Sequence, residues 1–257
     1  MAGQTALTDG TAKRLTGGCT RRPQAKRFAA AGEPQTFARE MKALTEKQKQ
    51  GLGVAFNEAT LLGVEVSPGR SLCGITLSLL TLPESGPAPD DSRIQVLLHP
   101  VGRVAASLRM GRWDDDSAAV QPFELTNLLS VVQSFKGLPI YGWEFFDLSE
   151  DKFRSWSNRL SLDWHGDPAG MAHSVFLFQE GSVPERILDL RIWFREIEFR
   201  RPDGTPVDIE NILSGGKRWW DGLYAGDKRT EGHGVFPVKP VGEQPDPPDG
   251  EDAAGDP

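Results

Sequence analysis

Ile187-Leu-Asp-Leu-Arg-Ile-Trp-Phe-Arg-Glu-Ile-Glu-Phe199 is the stretch on which the fold turns. Successive side chains of an extended chain point to opposite faces. Leu188, Leu190, Ile192 and Phe194 therefore share one face, and Ile187, Asp189, Arg191, Trp193 and Arg195 share the other. Past Phe194 the apolar positions become Ile197 and Phe199, a change of face that a β-bulge near Arg195-Glu196 accounts for. This is the longest strand predicted in the chain.

The segments before it extend the pattern. Gly181–Pro184 reads as a turn and His173–Glu180 as an apolar strand. His165–Met171 reads as another turn, and Leu160, Leu162 and Trp164 alternate. Tyr141, Trp143 and Phe145 alternate as well, and Ser149–Trp156 reads as a short helix capped by Ser149. Strands joined by short turns must pair antiparallel, because a parallel pair needs a crossover of about a dozen residues or more. The second half is thus predicted to be a meander of four strands.

Nearer the N-terminus, Leu52, Ala55, Phe56, Ala59 and Leu62 recur at helical spacing, with Thr45 and Gln48 placed as a capping box. This predicts a helix over 45–61, extending back toward Phe37 in its longest form. Val64–Ser67 and Leu72–Leu82 flank a Pro-Gly turn and form a hairpin. Pro83–Asp91 is a loop. Ile94–Leu98 and Arg103–Arg109 flank His99-Pro100-Val101-Gly102 and read as a second hairpin. Leu125, Leu128, Leu129, Val132 and Phe135 form an amphipathic stripe, so a helix is expected over 123–136. Beyond the long strand, Val207–Leu213 reads as a short helix capped by Gly215, and Lys217–Tyr224 as a further turn or two. The expected class is α+β: mainly antiparallel sheet, either one curved sheet or two stacked ones, with two to four covering helices.

Charge divides the chain. Residues 1–35 hold six basic residues against Asp9 and Glu33, while residues 236–257 hold Lys239 against six acids. Both ends lack large apolar residues and are expected to be disordered tails flanking a single domain over 36–235. Met41, just before that domain, is an alternative start. The middle is net acidic, which argues against a broad nucleic-acid-binding field. No apolar run approaches the roughly 18–20 residues that span a bilayer, and the basic N-terminus has no apolar region after it. Cys19 and Cys73 are too few for a disulfide framework. The expectation is a soluble cytoplasmic protein without a cofactor.

Motifs for common chemistries are missing. No GxGxxG, HExxH, CxxC or GxSxG occurs, and Gly215-Gly216-Lys217 lacks the upstream glycine and the following Ser or Thr of a phosphate loop. Asp114-Asp115-Asp116 lacks the alternating ligands of a calcium loop. Two constellations remain. Asp163 and His165 share a strand face, and if His173 pairs with His165 the three converge as a metal or acid–base site. A register slip by one residue removes it. Arg191, Trp193 and Arg195, with Arg218 and Trp219, interleave guanidinium and indole groups, the residue types most enriched where one protein grips another. The first reading makes the protein a small enzyme. The second makes it a non-enzymatic interaction or inhibitor module with one protein partner.

Overall fold

The stretch from Ile187 to Phe199 is a strand, and it lies inside the sheet with a partner on each side. In the computed structural model, which describes residues 43–115, 117–167 and 170–237, it belongs to β7, Glu185–Arg200. Leu188, Leu190, Ile192 and Phe194 are all buried. Removing such side chains from water contributes about 1.5–3 kcal/mol each. Both expected tails fall largely outside the described residues.

Around β7 the chain runs α1 (Glu46–Phe56), β1 (Thr60–Ser67), β2 (Leu72–Ser78), β3 (Arg93–Met110), β4 (Ala119–Val120), α2 (Leu128–Gln133), α3 (Glu150–Arg154), β5 (Leu162–His165) and β6 (His173–Ser182). After β7 come β8 (Pro206–Val207) and α4 (Ile209–Ala225). All pairings are antiparallel, in the order β1-β2-β3-β7-β6, with β4 and β5 on β3 and β8 on β7. The fold is α+β, a curved sheet that does not close.

The second predicted hairpin is absent, because Ile94–Leu98 and Arg103–Arg109 are one strand. Pro100 follows a cis peptide bond and carries no N–H to donate, yet β3 runs through it and keeps its partner: His99 pairs with Glu196 and Val101 with Phe194. The predicted change of face on β7 is real. It arises differently, because Leu98 and Ile197 face the core before this point and Val101 and Phe194 after it, so both strands turn over together. The register shift sits on the partner strand, between Val101 and Arg103. The inserted Gly102 has no room for a side chain: a Cβ there would meet the Asp167 carbonyl oxygen at 2.8 Å.

The long β3 also corrects the meander. Its first half pairs with β2, and its second half takes β5 and β4 on the same edge. β5 is therefore separated from β6 by two strands, β3 and β7, instead of lying beside it. The segment expected as a strand over Tyr141–Phe145 is irregular. It follows the free edge of β6 through Tyr141 N–H to the Phe178 carbonyl (3.2 Å) and Phe176 N–H to the Phe145 carbonyl (2.7 Å).

Helix α1 carries the predicted capping box of Thr45 and Gln48 but ends at Phe56, because Glu58 adopts φ 61° and β1 starts at Thr60. The expected helix over 123–136 shortens to a 3-10 turn, Leu125–Asn127, and α2. The expected break at Gly215 is absent, and α4 runs through it for 17 residues. Two glycines inside a helix cost roughly 1 kcal/mol each. Here they let α4 approach its neighbours: a Cβ on Gly216 would come 2.7 Å from the Ala55 Cα, and one on Gly215 2.3 Å from Thr81 Oγ1. The main core lies under α1, α2 and Ile212 of α4. A small cluster of Leu80, Leu82, Trp219, Trp220 and Leu223 sits under the rest of α4.

Candidate binding surface

The opposite face of the β3–β7 half-sheet is polar. Cross-strand partners share a face, so Arg103, His165, Trp193 and Ser174 form one row, and Ala105, Asp163, Arg191 and Phe176 the next. Phe153 and Trp156, on and just after α3, cover this face. The Arg103 guanidinium lies 4.9 Å from the centre of Trp193 and 5.0 Å from that of Phe153. Arg191 lies 4.8 Å from Trp193 and 5.6 Å from Phe153. Two cations thus share two aromatic rings, an arrangement favourable for each ring–cation pair.

Both cations are also paired. Arg103 forks onto Asp163 through Nε and Nη2 at 2.8 and 2.9 Å. Burial raises the Asp163 carboxyl, but hydrogen bonds from Arg103 and His165 outweigh it and hold the group below the usual carboxylate range. Arg191 is buried and donates to Ser174 Oγ and the Leu148 carbonyl, with Glu150 3.0 Å away. Its Nη1 has no partner. Further along the face Arg109 and Asp189 form a buried ion pair, where burial pushes the Asp189 carboxyl up against the pull of Arg109.

The catalytic constellation does not assemble. His165 is paired through Arg103 and Trp193 to Ser174, so His173, one residue along β6, points to the opposite face. Asp163 and His165 do meet, at 3.0 Å. His173 instead bonds Asp147 through Nδ1 (2.8 Å) and accepts the Leu44 N–H at Nε2 (3.0 Å). With both ring nitrogens engaged and the ring buried, it ties the chain before α1 to the sheet. Asp147 also takes Lys49 Nζ at 2.8 Å and the Ser174 N–H at 2.7 Å. Burial raises its carboxyl, and these donors more than offset that, leaving it below the ordinary value. Among the described residues no group of three or more His, Cys, Asp or Glu is arranged to hold a metal ion.

The predicted contact set is divided. Arg191 is buried in the stack, Trp193 is half-buried, and Arg195 is exposed, donating Nε to the Gly170 carbonyl. Arg218 and Trp219 lie on α4, and Trp219 is only 1% exposed. The arginine–aromatic alternation on β7 therefore marks a covered polar layer.

The open aromatic surface lies elsewhere. Trp143 packs against Trp220 with ring centres 5.3 Å apart and planes tilted by 53°, and Trp220 against Tyr224 at 6.2 Å and 32°. Trp143 is 56% exposed and Tyr224 59%. The middle ring is fixed, because Trp220 Nε1 donates to the Val54 carbonyl at 3.0 Å. Trp143 is fixed through its backbone, since its carbonyl approaches Gly53 of α1 so closely that a Cβ there would lie 2.3 Å away. Beside the ladder, Glu46, Lys49, Gln50, Glu144 and Lys152 line a hollow of about 300 Å³. Only spacing could have signalled this surface: Trp220 and Tyr224 are four apart on one helix face, but Trp143 joins them through the fold.

No protein-family model, no curated protein and no solved structure matches the chain.

Proposed function

We propose that the protein is a non-enzymatic binding module that grips one protein partner through the Trp143–Trp220–Tyr224 ladder. One observation carries the reading: three rings in tilted contact on rigid supports, the outer two more than half exposed. An aromatic centre loses little side-chain entropy on contact, and a charged rim excludes wrong partners. The rim is supplied by Glu46, Glu144 and Lys152 on one side and by the Lys217–Asp221 pair of α4 on the other. The acidic charge of the chain favours a protein over a nucleic acid as partner. A cytoplasmic location goes with this reading. It is supported by the free buried thiol of Cys73 and by the lack of any described helix long and apolar enough to cross a membrane.

The test is a quantitative pull-down from lysate of the source cell. The wild type should recover one protein at about equal stoichiometry, and Trp143→Ala/Tyr224→Ala should lose it while melting at nearly the same temperature. Trp193→Phe, altering the covered stack, should retain it. Recovery of the same protein by the double variant overturns the assignment.

A further inference from the structure

A second concave site lies away from the ladder. The first turns of α4, the segment 79–83, the start of β3 and the turn from β7 to β8 enclose a groove of about 590 Å³. That size is within the roughly 300–1,000 Å³ of small-molecule sites. Its floor is apolar and fixed: Leu79, Leu82, Ile94 and Ile212 are all buried, and Pro83 and Pro202 add rigid walls. The wall from 79 to 83 is pinned to α4 by Leu82 N–H on the Gly215 carbonyl at 3.1 Å.

Charge at the mouth is arranged unevenly. Three guanidinium groups (Arg93, Arg201, Arg218) and two carboxylates (Asp91, Asp203) line it. Asp91 is consumed by Arg93, whose Nε and Nη2 reach its two oxygens at 2.9 and 2.7 Å. Asp203 accepts the Thr205 N–H at 2.9 Å. Arg218 spends Nε on the Leu82 carbonyl at 2.9 Å, which orients the guanidinium without neutralising it. Neither Arg201 nor Arg218 forms an ion pair with a carboxylate among the described residues.

We infer that this groove binds an amphiphilic monocarboxylate, its alkyl body on the Leu79–Ile94–Ile212 floor and its carboxylate between Arg201 and Arg218. The floor requires an apolar body. The excess of one positive charge matches a monoanion, and a guanidinium fork pairs with a planar carboxylate through two parallel hydrogen bonds. A dianionic phosphate would keep one charge uncompensated beside Asp203.

Calorimetric titration of the full chain with octanoate tests this. Saturable one-to-one binding is expected, with 1-octanol weaker by about tenfold, the loss of one charge-assisted pair. Arg201→Gln should weaken octanoate by a similar factor, and Asn211→Trp, which fills the mouth, should abolish binding. Arg201 makes no side-chain hydrogen bond, so its variant should melt with the wild type; Arg218→Gln is the second variant, since it removes the Leu82 contact as well. The ladder variant Trp143→Ala/Tyr224→Ala should bind octanoate normally, which separates this site from the partner surface. No saturable binding, equal binding of octanoate and 1-octanol, or an unaffected Arg201→Gln each overturns the inference.

Discussion

The Arg103–Trp193 stack and the Trp143–Trp220–Tyr224 ladder are built from overlapping residue types and end in opposite states. In the stack every ring meets a guanidinium or another ring, every guanidinium meets an acid, and Phe153 and Trp156 close over the top. In the ladder only the middle ring reaches inward, with Trp220 edge-on against Trp219, while the outer two rings meet Trp220 alone among the aromatic groups and face water. Interleaved charge and aromatic surface can thus saturate itself, while a purely aromatic run with one anchored member cannot. The segment 141–150 joins the two regions: Trp143 supplies the ladder, Asp147 the His173–Lys49 clamp, and Leu148 and Glu150 the partners of Arg191.

The largest expected effect lies in the covered layer. Asp189→Ala leaves Arg109 charged, buried and alone, so it should cost about 3–5 kcal/mol in denaturant unfolding. Asp189→Leu/Arg109→Met removes both charges and should recover most of that loss, since a buried pair exchanged for apolar groups is often neutral or stabilising. A double variant as unstable as the single one would show that the polar layer is held together by something other than mutual compensation.

The joint between the regions gives an intermediate effect. Asp147→Asn should cost about 1.5–3 kcal/mol at neutral pH, the scale of hydrogen bonds to a charged group. Its sign with pH follows from the lowered carboxyl. Below the unfolded value the unfolded chain takes up the proton first, so the wild type loses this stability as pH falls from the ordinary 3.8 toward the lower folded value. Acid titration of stability should be shallower for Asp147→Asn in that window. Parallel profiles would mean that the clamp is electrostatically silent.

The same contrast explains what could be seen before folding. Period-two alternation located β7, an apolar run located β6 and the Pro-Gly turn located the β1–β2 hairpin, while the capping box located α1 because it is local chemistry. Pro100 and Gly102 read as a turn, since nothing local shows that β7 holds both halves of β3 in line. Gly215-Gly216 read as a helix end for the same reason: their use is close approach to Thr81 and Ala55, more than a hundred residues away. The pairing of β5 with β3 instead of β6 separated His165 from His173, and the register of distant strands is set by whole-sheet burial. Trp143 was hidden inside an alternating triplet, although Gly142 at φ 138° breaks the strand beside it.

The smallest expected change in stability is on the ladder, and it is the sharpest test of the comparison. Trp143 and Tyr224 already stand mostly in water, so truncating them exposes little that was hidden. Trp143→Ala and Tyr224→Ala should each shift unfolding by less than about 1 kcal/mol, far below a buried tryptophan at about 3–5. Trp220 behaves differently, because it is buried and its Nε1 holds the Val54 carbonyl, so Trp220→Ala should fall in the higher range. Under the proposed function, exposed rings that do little for the fold are the ones offered to a partner. If Trp143→Ala destabilises as much as Trp220→Ala, the outer rings are part of the packing, and the distinction between a saturated and an open aromatic region disappears.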